Sequence, residues 1–148
     1  MPASWTQNYY HLVFSTKHRE PVITTDMAER LYPFLGGIAK DIDCQLIAVN
    51  GMPDHLHLLV RFAPDVPPAV MAREVKARSS RWIRGTFTRE FAWQRGYGGF
   101  TVSRSALDDV ETYIRRQAEH HRTMSFQQEF LSLLRRHGVE FDERYVFE

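Results

Sequence analysis

Two histidines stand two residues apart in the segment His55-Leu56-His57, inside an apolar run of the chain. On a β-strand such residues point to the same face, with α-carbons roughly 6–7 Å apart, so both imidazoles can converge on one cation. Leu56 then points to the opposite face, into the core. Two ligands do not complete a metal site, so this interpretation requires a further ligand elsewhere; the alternative is a structural role for both rings.

A second candidate group lies further along the chain. Tyr113 and Gln117 are four residues apart, so on a helix they share a face, which His120 and His121 continue one turn later. A phenol is a candidate nucleophile and an amide oxygen a neutral ligand, and this spacing can aim both at one point. The alternative is a helix edge on which the tyrosine packs and the glutamine is solvated.

Positive charge is concentrated in the middle of the chain. The net charge is only +1, yet residues 61–95 carry eight basic and three acidic side chains. One face of a predicted helix there carries five cations: Arg73, Lys76, Arg78, Arg81 and Arg84. Beside a metal-binding strand this face predicts a track for DNA phosphates, with Tyr97 stacking on an unpaired base. A solvated surface is the alternative, and Trp93 and Phe100 are more typical of core aromatics.

Composition limits the remaining possibilities. The 148 residues, 43% of them hydrophobic, predict a single domain spanning 1–148. The lone Cys44 indicates a reducing compartment, and the chain lacks an apolar stretch long enough to span a bilayer, so we expect a soluble cytoplasmic protein with no membrane partner. Neither a phosphate-binding loop nor a dinucleotide-binding turn is present, which argues against a nucleotide cofactor.

The elements that must position these residues follow from periodicity and turn signals. We predict strands at residues 9–16, 45–49, 55–62 and 100–103, and helices at 25–41, 70–85, 107–122 and 126–136. The order β-α-β-β-α-β predicts an α+β, ferredoxin-like or RRM-like antiparallel sheet with helices on one face, plus C-terminal helices. This fold serves many functions, so the chemistry must come from the site.

Four stretches of the chain, in order, resemble the single-tyrosine HUH transposases of the insertion sequence 200-like family, in the 200/605 group. They are residues 10–19, 50–59, 96–103 and 113–121, and the ending, 126–148, is also similar to a branch of this group. The combination is far more specific than the histidine pair alone. Gly98-Gly99 is a departure, because a bulkier residue is expected there in many relatives.

The resemblance implies a role for each candidate residue. His55 and His57 would hold a divalent ion, Mg²⁺ or Mn²⁺, with Gln117 as another ligand. Tyr113 would attack a phosphodiester of single-stranded DNA. Three neighbouring residues are expected to contact the ligands, without contacting the ion, and hold them in position: Asp54, His120 and His121.

The resemblance also implies an activity and partners. The enzyme would cut and rejoin DNA strands at the ends of a mobile element through a 5′-phosphotyrosine, recognising DNA hairpins, as a homodimer in a bacterial or archaeal cytoplasm. Two other functions remain open at this point: a domesticated relative that nicks chromosomal hairpins, and a non-catalytic module that binds single-stranded nucleic acid.

Overall fold

A computed structural model describes residues 4–148. Its strands are β1 (Asn8–Ser15), β2 (Gln45–Met52), β3 (His55–Phe62) and β4 (Gly98–Val102). Its α-helices are α1 (Thr25–Asp41), α2 (Pro68–Thr86), α3 (Leu107–Arg115), α4 (Gln117–His120) and α5 (Phe126–Arg136). The strands form one antiparallel sheet in the order β2-β3-β1-β4, with α1 and α2 as the two crossovers. The predicted α+β, ferredoxin-like fold is confirmed.

The first face of the sheet carries the main core. Alternate apolar residues of β1 and β3 pack here against α1 and α2: Leu12, Phe14, Leu56, Leu58, Val60 and Phe62. Leu56 is fully buried in this layer, as the alternation of strand side chains predicts. The apolar side of α2 is buried through Met71, Ala72, Val75 and Ile83. The free thiol of Cys44 lies in the same core.

The second face of the sheet is covered by the C-terminal helices. Val13 and Phe100 pack against α5, and Ala48 and Leu59 pack against Ile114 of α3. Because side chains alternate along β3, its odd-numbered residues point to this second face. The histidine pair is therefore enclosed between the sheet and the C-terminal helices.

The turn that leads into the histidine pair is tighter than predicted. Strand β2 continues to Met52, so the expected connector of residues 50–54 shrinks to Pro53-Asp54. Gly51 pairs with Leu56, and a Cβ on Gly51 would collide with the backbone oxygen of His55. A glycine here allows the hairpin to close directly against the first histidine.

The predicted helix over residues 107–122 is wrong as one continuous element. It breaks at Arg116, whose φ of −98° and ψ of 27° are not helical. The side-chain amide of Asn50 donates to the carbonyl oxygens of Ile114 and Arg115, both at 3.1 Å. These carbonyls would otherwise accept from amides four residues later, so a contact with β2 ends α3 and begins α4.

Helix α5 has the ends that its sequence predicts. Ser125 and Gln128 form a reciprocal capping box at its start, and Gly138, with a φ of 65°, follows its last turn. Within residues 4–148, none of the helices combines the length and apolarity needed to cross a membrane.

Candidate active site

The histidine pair of β3 has the geometry that its spacing predicts. Both rings are fully buried on the second face of the sheet, with centroids 5.1 Å apart. The two Nε2 atoms point toward one carboxylate, that of Glu129: the Oε1 atom lies 2.8 Å from Nε2 of His57 and 3.4 Å from Nε2 of His55.

Glu129 lies at the centre of the site, and the sequence interpretation did not identify it. The side chain is only 1% exposed. Its Oε1 atom also accepts from Nε2 of His121 at 3.1 Å, whereas Oε2 accepts from the phenol of Tyr113 and from Nε2 of Gln117 at 3.2 Å. One carboxylate thus joins the histidine pair to the second candidate group.

The position of Glu129 follows from the packing of α5. Phe126 and Phe130 are buried on the apolar stripe of this helix, and Glu129 falls between them on the same stripe. An acidic residue at an apolar helical position is rarely buried without partners. That mismatch is the sequence signal that could have identified it.

Gln117 reaches the histidine pair directly. Its side-chain oxygen lies 3.0 Å from Nε2 of His55, and the residue has no exposed surface, so a solvated helix edge does not describe it. Tyr113 is half-buried, with its ring centroid 5.9 Å from that of His57. The structure therefore brings both predicted groups together in spite of the break at Arg116.

Each histidine of the pair is held by its other ring nitrogen. Nδ1 of His55 lies 2.7 Å from the carboxylate of Asp54. Nδ1 of His57 shares a hydrogen bond of 2.7 Å with Nε2 of His11, a buried residue of β1 for which we predicted no role. Such contacts fix the tautomer and orientation of a ligating imidazole.

The two consecutive histidines at the end of α4, His120 and His121, make different contacts. His121 enters the cluster itself, because its Nε2 contacts Glu129 while its Nδ1 donates to the carbonyl of Met124 at 2.7 Å. His120 stacks on the ring of Tyr113, with centroids 4.5 Å apart, and its Nε2 is buried without a hydrogen-bond partner within the described residues.

The electrostatics of the site follow from these contacts. Burial lowers the pKa of His55, but hydrogen bonds with Asp54, Glu129 and Gln117 outweigh it and raise the value to about 9. Burial raises the pKa of Glu129, but hydrogen bonds from the imidazoles hold it far below its usual range. Burial and the contact with Glu129 raise the pKa of Tyr113, so this phenol keeps its proton.

The donor atoms at this site suit a cation. Ligand atoms of His55, His57, His121 and Glu129 all lie within 4.8 Å of one another. The oxygen of Gln117 points to the same interior position through its contact with His55. Imidazole nitrogens with neutral and anionic oxygens form a donor set that divalent metals accept.

The basic face of α2 lies across the sheet from this site, because the β3–β4 crossover packs on the first face with α1. The structure does not place it beside the histidines. Lys76 donates to the backbone oxygens of Arg95 and Gly96 at 2.9 and 3.0 Å, and Arg78 pairs with Asp41 at 2.7 Å. The exposed cations of this face are Arg73, Arg81 and Arg84.

The aromatic residues before and within β4 divide as expected. Tyr97 is 38% exposed and available for stacking. Trp93 and Phe100 are buried, and the indole of Trp93 donates to the Ser79 hydroxyl at 2.9 Å. The last two are core residues.

A ferredoxin-like sheet with a histidine pair on an inner strand, completed by a tyrosine and a glutamine from later helices, defines the single-tyrosine HUH class of transposase. The chain belongs to the IS200-like transposase family, whose family model matches residues 4–117. Membership makes the chain a transposase, a class of enzyme that cleaves DNA.

Individual relatives agree with this assignment. The chain is 27% identical over 115 residues to the ISDra2 transposase TnpA of Deinococcus radiodurans, covering 73% of this chain and 82% of that protein. A crystal structure of a transposase-like protein from the same organism superposes with a TM-score of 0.66 at 27% identity, covering 79% of this chain and 95% of the other.

A further solved structure shares the fold. It is a REP-associated tyrosine transposase bound to a REP hairpin, with a TM-score of 0.63 at 14% identity. The superposition covers 82% of this chain and 73% of that chain.

Proposed function

We propose that this transposase cuts and rejoins single-stranded DNA through a covalent link to Tyr113, with a divalent cation held by His55, His57 and Gln117. The observation that carries the proposal is convergence within one chain. Gln117 contacts His55, and Tyr113 shares the Glu129 carboxylate with His57. Nucleophile and candidate ligands thus surround the same point.

The donors fit the cation that such chemistry needs. Two imidazoles and an amide oxygen leave other coordination positions for water and a phosphate oxygen. When bound, Mg²⁺ or Mn²⁺ would supply Lewis-acid stabilisation of the charge that develops on the phosphate and on the leaving oxygen.

Tyr113 performs the bond-making step. Its phenol oxygen attacks phosphorus as the bond from phosphorus to the 3′ oxygen breaks, which gives a 5′-phosphotyrosine and a free 3′ hydroxyl. The phenol must lose its proton for this attack. A second 3′ hydroxyl then attacks the phosphotyrosine, rejoins a strand and returns the proton to the phenol, so no nucleotide cofactor is needed.

The burial of the site indicates the direction from which DNA approaches. His55, His57, Gln117 and Glu129 are covered by the C-terminal helices, whereas Tyr113 keeps exposed surface. The exposed Arg136 lies close enough to Tyr113 to oppose the rise of its pKa. We propose that the phosphodiester enters on this side, where Arg136 would attract it.

Hairpin DNA is the proposed substrate. The structural neighbour bound to a REP hairpin supports this choice through its fold. Exposed Arg73, Arg81 and Arg84, with Tyr97, would contact DNA away from the cleavage site. We also propose a homodimer, because one chain supplies one tyrosine and one histidine pair, whereas an element has two ends.

Cleavage and rejoining test the proposal directly. Purified protein is mixed with labelled single strands from the DNA flanking its gene, hairpins included, with Mn²⁺, with Mg²⁺ or with chelator. We expect cleavage that leaves a free 3′ hydroxyl, joining to a second strand, and no reaction in chelator. Tyr113→Phe and His57→Ala abolish both steps, whereas Tyr145→Phe, an exposed tyrosine, does not.

Two outcomes would contradict the proposal. Cleavage by the Tyr113→Phe variant would require another nucleophile. Tight binding to the flanking strands without cleavage, unchanged in His57→Ala, would instead indicate a non-catalytic binding module.

A further inference from the structure

The roles proposed for the histidine pair and for Tyr113 do not account for the buried carboxylate of Glu129. It lies twelve residues beyond the end of the family match at Gln117, yet it occupies the interior of the site. A carboxylate buried this deeply is costly unless it is paired or binds a metal. Its polar partners come from β3, α3, α4 and the residue after α4.

The donor atoms around Glu129 lie close enough together to share one ion. Divalent ions such as Mg²⁺ take ligands at about 2.0–2.1 Å in an octahedron, so neighbouring ligands lie about 3 Å apart and opposite ones about 4 Å apart. The Oε1 atom lies 2.8 Å from Nε2 of His57 and 3.4 Å from Nε2 of His55. Nε2 of His55 and the oxygen of Gln117 are 3.0 Å apart.

The two oxygens of Glu129 have separate partners. Oε1 faces the imidazoles, whereas Oε2 accepts from Tyr113 and from the amide nitrogen of Gln117. That amide contact also orients Gln117, so that its carbonyl oxygen faces His55. One oxygen is therefore available to a cation while the other holds the nucleophile.

We propose that Glu129 is a fourth protein ligand of the cation, binding it through Oε1 while Oε2 positions Tyr113. This inference deepens the proposed function, since it concerns the same cation. His55, His57, Gln117 and Glu129 would then hold the ion, and a six-coordinate ion would still have room for a phosphate oxygen and a water.

Mn²⁺ binding without DNA tests this assignment. Free Mn²⁺ is measured by its electron paramagnetic resonance signal during titration of wild type, Glu129→Gln, Glu129→Asp and Glu119→Gln. Glu119 is an exposed carboxylate of α4 that pairs with Arg116, and it serves as the matched control. We expect one site per chain, affinity at least about tenfold weaker in both Glu129 variants, and no change in the control.

The opposite result identifies a different role for Glu129. If Glu129→Gln binds Mn²⁺ as tightly as wild type, or more tightly, the carboxylate only occupies the cation's position until the cation displaces it, and the proposal is overturned. Absence of Mn²⁺ binding by wild type would also overturn it.

Infrared spectroscopy of the wild type covers the case in which the variants do not fold. Binding of Mn²⁺ by Glu129 must shift its carboxylate stretching bands in the difference spectrum, and an unshifted spectrum overturns the proposal. Neither measurement uses DNA, so a failure here is distinct from a failure of strand cleavage, which would reject the proposed function.

Discussion

The side-chain oxygen of Gln117 lies 3.0 Å from Nε2 of His55 within one chain. This contact joins the C-terminal helices to the inner strand of the sheet, so the proposed nucleophile and the candidate ligands lie together in one protomer.

His11 is predicted to control metal affinity without touching the metal. It holds Nδ1 of His57, and loss of such a contact typically weakens metal binding 10- to 100-fold. His11→Phe should therefore weaken Mn²⁺ binding by about that factor in a titration. His18→Phe, at an exposed position, is the control, and equal affinities for the two variants would contradict the prediction.

Asp54 is predicted to stabilise the metal-free protein in a pH-dependent way. The pKa of His55 rises from 6.5 to about 9 on folding, so its contribution is complete below pH 6.5 and is lost as pH rises through 9. Asp54→Asn should lower the free energy of unfolding by about 1–3 kcal/mol at pH 6. In urea titrations with chelator the difference should vanish by about pH 10; a constant difference would contradict this origin.

Gly98 is predicted to be essential for the docking of α5. A Cβ at this position would lie 2.7 Å from Cε1 of the buried Phe130 ring. Gly98→Ala should lower the free energy of unfolding by about 1–3 kcal/mol and weaken Mn²⁺ binding, because the same helix carries Glu129. Gly36→Ala, in open space on α1, should stabilise the protein slightly by favouring helix. Similar denaturation midpoints for the two variants would be evidence against this packing.

The cations of α2 are predicted to have different roles. Lys76 donates hydrogen bonds to the backbone oxygens of Arg95 and Gly96. Lys76→Met removes both, so it should lower the free energy of unfolding by about 1–3 kcal/mol. The exposed Arg81 should instead contact a phosphate, and Arg81→Ala should reduce the slope of log affinity against log salt by about 0.7. Fluorescence anisotropy with the flanking strand measures that slope, and an unchanged slope would place the DNA elsewhere.

Periodicity along the chain was enough to predict the part of the site that lies on the strand. Alternation along β3 places His55 and His57 on one face and Leu56 in the core, and the observed strand has the predicted bounds. These features depend only on local geometry, which a strand imposes on any sequence. The order of the first six elements follows in the same way.

The rest of the site depends on contacts between segments distant in the chain. Asn50 of β2 hydrogen-bonds to the last turn of α3, and His11 of β1 hydrogen-bonds to His57. The packing of α5 on the sheet places Glu129 beside the histidines. Periodicity along one helix or strand cannot determine which face of the sheet a later helix covers. For the same reason, periodicity could not show that the basic face of α2 lies across the sheet from the histidines rather than beside them.

The covalent link between DNA and protein tests the central claim most directly. The trapped adduct with a flanking strand is digested with trypsin, and the modified peptide is identified by mass spectrometry. We predict that the peptide spanning residues 105–115, in which Tyr113 is the only tyrosine, carries a nucleotide through its 5′ phosphate. Modification of any other residue, or an adduct that persists in Tyr113→Phe, would contradict this account.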